Sequence, residues 1–221
     1  PKEDQKLSIS YSQFSMYQKC PHSWKLNYPD GLREYTESIH TTFGTAMHEV
    51  IQEYLDTMFN DTLKAADNVD MDKVLHNKLI HIYKDAVDRT GHHYSNPMQL
   101  REFWLQGCEI LKQFKRERGK HFSKKTDELV GIEVPIYHPV NDANPDVFMV
   151  GYLDIVIYHK LSDTYTIYDL KTSGRGWNKY KKADKLTTDQ LVLYKMYFAR
   201  QYGIDPDKIQ ICYLILKREL I

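Results

Sequence analysis

The stretch YTIYDLKTSGRG, residues 165–176, combines the pattern of a strand with charged side chains that an apolar strand rarely carries. Because side chains alternate between the two faces of a strand, Tyr165, Ile167, Asp169 and Lys171 are expected to lie on one face. An acid and an amine side by side have two interpretations here. They form either a surface salt bridge or part of a site for metal-dependent phosphodiester cleavage.

The segments around this stretch predict a mixed sheet with helices packed against it. Apolar residues at helical spacing predict helices over about 11–20, 43–59, 71–90, 98–118 and 187–203. Alternating apolar segments predict strands over 128–139, 147–160, 165–173 and 208–218. Residues 29–42 and 141–146 are expected to be loops. The order is helices followed by β-β-β-α-β, which predicts an α/β (α+β) fold with a mixed central sheet.

Length and composition limit the kind of protein this can be. The 221 residues predict a single domain, with residues 1–125 mainly helical and residues 126–221 forming the β-rich core. Thirty basic and thirty acidic residues cancel, so only local clusters can attract a charged partner.

Compartment is inferred from the cysteines and from the hydropathy of the chain. Three scattered cysteines, Cys20, Cys108 and Cys212, indicate a reducing compartment. The chain has no apolar run of about 18 residues, and its first ten residues have no apolar signal core. We therefore expect a soluble intracellular protein, in the cytoplasm or another nucleic-acid-containing compartment, with no membrane partner.

Two further residues can join Asp169 and Lys171 when the chain folds. Asp154 lies on the preceding predicted strand, which a short hairpin places beside Asp169, and His48 lies on the predicted helix at 43–59. Two carboxylates suit Mg²⁺ or Mn²⁺, and an imidazole ligand favours Mn²⁺ somewhat. A bound metal lowers the pKa of its water, and a lysine beside it can stabilise the charge of the transition state.

Four segments carry a family resemblance. GTAMH (44–48), GYLD (151–154), YDLK (168–171) and QLVLY (190–194) resemble the pattern GxxxH, GxxD, (D/E)xK and QxxxY of the RecB-like branch of the PD-(D/E)XK nuclease superfamily. They occur in order, on the expected helix, strand, strand and helix. DxK alone is common by chance, whereas the ordered set of four is specific.

The resemblance implies a restriction-endonuclease-like core of α-β-β-β-α-β order and metal-dependent cleavage of DNA. It implies that Mg²⁺ or Mn²⁺ is held by the side chains of His48, Asp154 and Asp169 and by the backbone carbonyl of Leu170. It makes Lys171 the catalytic lysine, acting with Asp154 and Asp169. Glu133, in the first predicted strand, matches a frequent family acid with a supporting role.

Two groups of residues are candidates for DNA contact. The resemblance implies that Gln190 and Tyr194 contact DNA or the active site, although both could instead satisfy buried backbone groups. The stretch 175–185 follows the DLK strand directly and mixes basic with aromatic residues, which suits a strand with exposed bases. Its candidate DNA-binding residues are Arg175, Trp177, Lys179, Tyr180, Lys181 and Lys182.

The segment YSQFSMYQKCPHSWKL, residues 11–26, resembles the part of the iron–sulfur members, such as the CRISPR-adaptation nucleases, that carries their first cluster cysteine. Those members place three more cysteines after the last strand, and this sequence has none there. We therefore expect no iron–sulfur cluster.

The resemblance implies an exonuclease that prefers single-stranded DNA or free DNA ends. Such an enzyme would act in DNA recombination, repair or replication, with a helicase or recombination protein as a partner. Three alternatives stay open: a structure-specific endonuclease, an RNA-directed nuclease, and a non-catalytic DNA-binding module on the same fold.

Overall fold

The computed structural model describes residues 7–33 and 36–218. Its helices are α1 (Tyr11–Lys19), α2 (Pro21–Asn27), α3 (Ile39–Asn60), α4 (Leu63–Asn68), α5 (Met71–Thr90), α6 (Pro97–Glu117), α7 (Lys179–Ala183) and α8 (Lys185–Tyr202). Its strands are β1 (Leu7–Ser10), β2 (Asp127–Asn141), β3 (Asn144–His159), β4 (Thr164–Ser173) and β5 (Ile209–Lys217). Within these two ranges, no helix has the length and apolar character that crossing a membrane requires.

Strand β3 is the centre of a five-stranded mixed sheet. β2 pairs with one of its edges in antiparallel orientation. On the other edge, β1 runs parallel to residues 147–150 and β4 runs antiparallel to residues 155–159, and β5 then pairs in parallel with β4. Neither described ladder on that edge includes residues 151–154 of β3, so the sheet leaves a gap there. The mixed sheet with its helices confirms the predicted fold class.

Helix α3 begins earlier than its apolar pattern predicts. The loop expected over 29–42 is wrong for its last four residues, because α3 starts at Ile39. Ser38 accepts a hydrogen bond from the Thr41 backbone N–H, and the Thr41 hydroxyl accepts one from the Ser38 N–H. This capping box satisfies two backbone donors at the helix start, which apolar spacing alone does not reveal.

Other differences from the predicted elements concern short or paired segments. The loop expected over 141–146 is wrong, because the β2 and β3 strands reach Asn141 and Asn144 and leave a two-residue turn. The apolar patterns of the sequence do not predict β1, α4 or α7. These elements have four, six and five residues, too few for periodicity to show.

The sheet has one apolar core on each face. The α3-side core joins the helices α3, α5 and α6 to residues of β3 and β4. The α8-side core joins α1 and α8 to the opposite face. Leu153 packs in the α8-side core and Ile155 in the α3-side core, although residues two apart on a regular strand share a face. The alternation of side chains between the two faces of the sheet is therefore interrupted in β3 at Asp154.

Candidate metal centre

The two predicted acids lie where β3 and β4 separate. The ladder between these strands ends at the pair Ile155 and Tyr168, so Asp154 and Asp169 occupy the next facing positions. Beyond the ladder, Asp154 Oδ2 accepts a hydrogen bond of 2.7 Å from the Leu170 backbone N–H. A side-chain carboxylate thus takes the place of a backbone acceptor. We call Asp154, Asp169 and Leu170 the β3–β4 fork.

Lys171 lies against the second acid of the fork. Its Nζ is 2.7 Å from Asp169 Oδ2. Apart from this ion pair, Oδ2 is buried without a hydrogen-bond partner among the described residues. The whole Asp169 residue is only 4% exposed. Burying an anionic oxygen is costly, and the ion pair with Lys171 offsets part of this cost. Because a carboxylate oxygen can accept more than one contact, Oδ2 is not saturated.

Helix α3 brings His48 to the fork. One turn before it, Gly44 lies close to the end of β4, where an added Cβ would meet Thr172 Oγ1 at 3.5 Å. His48 Nδ1 is 3.6 Å from Asp154 Oδ2. Burial lowers the pKa of His48, and the Lys171 charge lowers it further. The imidazole is therefore neutral at pH 7, which is the form that binds a metal ion.

The electrostatics of the fork favour a bound cation. Burial raises the pKa of Asp154 to about 6, although the hydrogen bond from the Leu170 N–H and the charge of Lys171 lower it. Burial also raises the pKa of Asp169 to about 6; the charge of Lys171 lowers this pKa, and the charge of Asp154 raises it. A positive charge between the two carboxylates would offset both effects.

The supporting acid, Glu133, faces Asp154 across the β2–β3 register. Its Oε1 accepts a hydrogen bond of 2.7 Å from Gln52 Nε2, which also lies 3.3 Å from the Asp154 carbonyl oxygen. Glu133 has a φ of 49°, in the left-handed region that non-glycine residues seldom adopt. The sequence analysis gave Gln52 no role. Its signal was the spacing of four from His48, which places both side chains on one face of α3.

Two of the four family segments meet inside the fold. A Cβ on Gly151 would lie 2.9 Å from both Cε1 and Oη of Tyr194, so the glycine of GYLD gives room to the ring of QLVLY. Gln190 Nε2 donates to Tyr194 Oη at 3.4 Å. Tyr194 is buried, and burial is the main cause of its raised pKa. These contacts fit a packing role for Tyr194, and DNA contact by either residue stays a prediction.

The basic stretch 175–185 after β4, called the basic loop below, is partly helical because it contains α7. It has one half-buried and one exposed aromatic ring. Trp177 is half-buried, with its ring centroid 4.7 Å from that of Tyr213. Tyr180 is 73% exposed, and Lys179 Nζ is 5.0 Å from its ring centroid.

The cations of this loop face solvent. Lys179, Lys181 and Lys182 are exposed, as is Arg175, four residues after Lys171. Lys181 Nζ also lies 5.9 Å from the Trp177 ring. Binding of DNA by the loop stays a prediction.

The donor set fits the hard divalent cation that the sequence suggests. Two carboxylates, a neutral imidazole and the unsaturated Asp169 Oδ2 are the ligand types that Mg²⁺ and Mn²⁺ accept. In the described ranges, however, no three His, Cys, Asp or Glu side chains are arranged to share one ion. In the structure Asp154 Oδ2 accepts the Leu170 N–H, and Asp169 Oδ2 forms an ion pair with Lys171.

The three cysteines lie on different parts of the fold. Cys20 is exposed before α2, Cys108 is buried on α6, and Cys212 is half-buried on β5. The expected lack of an iron–sulfur cluster stays a prediction.

Comparison with known proteins agrees with this geometry. No curated protein sequence matches the chain. The model of the PD-(D/E)XK nuclease superfamily matches residues 8–221. This range contains every residue of the fork and all five strands, apart from the first residue of β1. The chain therefore belongs to the PD-(D/E)XK nuclease superfamily.

Proposed function

We propose that this chain is a metal-dependent deoxyribonuclease of the RecB-like type, acting as an exonuclease on single-stranded DNA or free DNA ends. Members of the superfamily are typically nucleases and use divalent metal ions, commonly Mg²⁺ or Mn²⁺. The observation that carries the proposal is the convergence of His48, Asp154, Asp169 and Lys171 on the β3–β4 fork, with one buried carboxylate oxygen left unsaturated.

The metal would be held by Asp154, Asp169, His48 and the Leu170 carbonyl. When bound, it would lower the pKa of a water molecule and neutralise charge on the phosphate. The Leu170 N–H fixes the Asp154 carboxylate, and Gln52 ties the Asp154 backbone to Glu133. These hydrogen bonds hold ligands in place before substrate arrives.

Besides the metal ion, Lys171 supplies a positive charge at the fork. Its ammonium is kept at the fork by Asp169 in the structure. From there it can donate to the attacking water or to a phosphate oxygen, and so stabilise the charge of the transition state. The exposed cations of the loop after β4 would then hold the phosphate backbone, with Tyr180 stacking on a base.

We also propose that residues 1–221 act as one nuclease domain, because both apolar cores pack on the same sheet. A role in recombination, repair or replication, with a helicase or recombination protein as partner, belongs to the same proposal.

A substrate panel tests the function. Single- and double-stranded DNA with open or blocked ends, and an RNA of the same sequence, are incubated with Mn²⁺, Mg²⁺ or EDTA. We expect metal-dependent cleavage of single-stranded DNA from a free end. Cleavage of blocked DNA would indicate an endonuclease, and cleavage of RNA alone would indicate an RNA-directed nuclease.

Two lysine variants separate catalysis from binding. Lys171→Ala is expected to lose cleavage and keep DNA binding. Lys160→Ala, which removes an exposed lysine paired with Glu128 at the far end of the sheet, is the matched control and should cleave normally. DNA binding without metal-dependent cleavage in the unaltered chain would support the non-catalytic module instead.

A further inference from the structure

The β2–β3 hairpin has one face that no helix of the described chain covers with an apolar core. Val134, Ile136 and Leu153 point into the α8-side core. The opposite face carries Pro135, Tyr137 and Tyr152, none of which belongs to either core. Tyr152 is 62% exposed and Tyr137 is 52% exposed. Two large aromatic side chains on one sheet face are thus open to solvent.

These three residues form a continuous row. Pro135 pairs with Tyr152 in the β2–β3 register, and Tyr137 is the next residue of β2 on the same face. The Tyr137 ring is stacked on Phe148, with centroids 4.4 Å apart and planes at 17°. Phe148 itself is buried. The stack covers one face of the Tyr137 ring, and the exposure of the residue leaves the other face available.

The row leads directly to the candidate metal centre. Tyr152 and Asp154 lie on either side of Leu153, and both point away from the α8-side core. Two residues of a strand span about 7 Å, so the Tyr152 backbone lies about 7 Å from that of Asp154. On the neighbouring strand, Pro135 has the same spacing from Glu133. The exposed surface and the metal centre are therefore parts of one surface.

We propose that Tyr152, with Pro135 and Tyr137, is a stacking platform for the unpaired bases of single-stranded DNA next to the scissile phosphate. This inference rests on the proposed nuclease function. Exposed rings beside a phosphodiester-cleaving centre suit bases, because every base has a face that stacks on an aromatic ring. In a duplex the base faces are already stacked on one another. The platform would therefore favour single strands.

The hairpin tip sets the length of the platform. Asp142 is exposed in the turn and Asp146 is exposed near the start of β3, and their carboxylates would repel phosphates. The row begins at Tyr152, two residues from Asp154. It therefore acts close to the cleavage position, while the basic loop after β4 holds other parts of the strand.

The test measures base stacking separately from cleavage. A single-stranded DNA oligonucleotide with 2-aminopurine near its free end is bound to the full chain carrying Lys171→Ala, in Mn²⁺, so that it is bound uncut. Stacking of the probe on Tyr152 should quench its fluorescence. Adding Tyr152→Ala should remove this quenching and weaken binding roughly 5- to 100-fold, with duplex binding unchanged.

Three further variants make the result specific. Tyr152→Phe should restore quenching, since it keeps the ring. Tyr152→Leu keeps an apolar side chain without the ring, so it should behave like Tyr152→Ala and guards against a folding defect in the smaller variant. Tyr202→Ala removes another exposed tyrosine, at the end of α8, and should change neither binding nor quenching.

The outcomes distinguish the two proposals. If the unaltered chain cleaves single-stranded DNA but Tyr152→Ala binds and quenches as before, the platform is wrong and the nuclease function stands. If Tyr152→Ala weakens duplex and single-strand binding equally, the platform is also wrong. If the unaltered chain neither binds nor cleaves DNA, both proposals fail.

Discussion

Two acid–imidazole pairs lie at opposite ends of the β3–β4 ladder, and they differ in how completely they are hydrogen-bonded. In the far pair, His159 Nδ1 is 2.9 Å from Asp127 Oδ1 and His159 Nε2 is 2.8 Å from Thr166 Oγ1. Asp127 Oδ2 also accepts the Ser123 N–H at 2.8 Å. In the near pair, His48 Nδ1 is 3.6 Å from Asp154 Oδ2, beyond hydrogen-bond distance.

The difference separates a cluster with a structural role from the one that we propose to be functional. The far pair ties β2, β3 and β4 together and uses the polar atoms it buries, as stable interiors do. At the β3–β4 fork, beside the near pair, Asp169 Oδ2 has no hydrogen bond, and the pKa values of Asp154 and Asp169 are both raised. Buried groups held in this unfavourable state are characteristic of a site completed by a ligand.

Removing one carboxylate from each cluster should give opposite results. We expect Asp169→Asn to lower the cleavage rate by about 1,000-fold or more, since it removes both a metal ligand and the partner of Lys171. Its stability should be unchanged or higher, because the buried charge is gone. Cleavage rates at saturating Mn²⁺ and urea denaturation measure the two effects.

The matched change at the far end is Asp127→Asn. It should lower the free energy of unfolding by roughly 1–3 kcal/mol, because a charged hydrogen-bond acceptor is lost from a buried network. At 25 °C, where the variant is still folded, its cleavage rate should equal that of the unaltered chain. A loss of activity in the folded Asp127→Asn protein would contradict the division into structural and functional ends.

The raised pKa values predict an unusual pH dependence for the metal-free chain. Asp154 and Asp169 titrate at about 6 in the folded protein, above the value of about 4 for an unfolded aspartate. A carboxyl group with a raised pKa stabilises the fold while it is protonated. Its contribution is complete below about pH 4 and is lost as the pH rises through 6.

Denaturation in EDTA at several pH values measures this loss. Other groups titrate too, so the informative quantity is the difference between the unaltered chain and Asp169→Asn, which should grow between pH 4 and 7 in favour of the variant. Mn²⁺ at pH 7 should remove the difference, because a cation replaces the protons. Parallel pH profiles would show that the fork does not hold strained carboxylates.

The two histidines should separate metal affinity from stability. His48→Ala is expected to weaken Mn²⁺ binding by about 10- to 100-fold. Its effect on unfolding should be small, since its contact with Asp154 is 3.6 Å long. His159→Ala should leave Mn²⁺ affinity unchanged and reduce stability by roughly 1–3 kcal/mol. Titration calorimetry and thermal unfolding of both variants test this, and equal losses of affinity would count against the assignment.

Much of this arrangement could be predicted from local sequence. The alternation around Asp169, the apolar spacing around His48 and the four ordered segments predict the sheet, helix α3 and the convergence on one fork. Sequence alone could not separate the two acid–imidazole pairs. His159 and Asp127 carry the same residue types, and only the register of β2 and β3 brings them together.

Other features depend on tertiary packing. The approach of Tyr194 to Gly151 requires α8 to lie flat on β3, which no spacing within either segment reveals. The proposed role of Gln52 depends on α3 packing beside Glu133, and that of Tyr152 depends on no helix covering its face of β3. The left-handed Glu133 is likewise invisible in sequence, because its residue type gives no preference for positive φ.

The backbone of β2 offers the finest comparison of the two ends. Glu133, at the metal end, has a φ of 49°, which alanine tolerates poorly and glycine adopts freely. Both Glu133→Ala and Glu133→Gly lose the bond to Gln52, so their difference reports the backbone alone. We expect the glycine variant to be more stable by about 1 kcal/mol.

Glu128, exposed at the far end of the same strand beside Asp127, is the control. There the ordinary preference should hold, with Glu128→Ala more stable than Glu128→Gly by roughly 0.5–1 kcal/mol. Urea denaturation of the four variants measures both differences. If the alanine variant were more stable than the glycine variant at both positions, residue 133 would not be left-handed in solution. The interrupted alternation of β3 at Asp154 would then not depend on a strained residue opposite it.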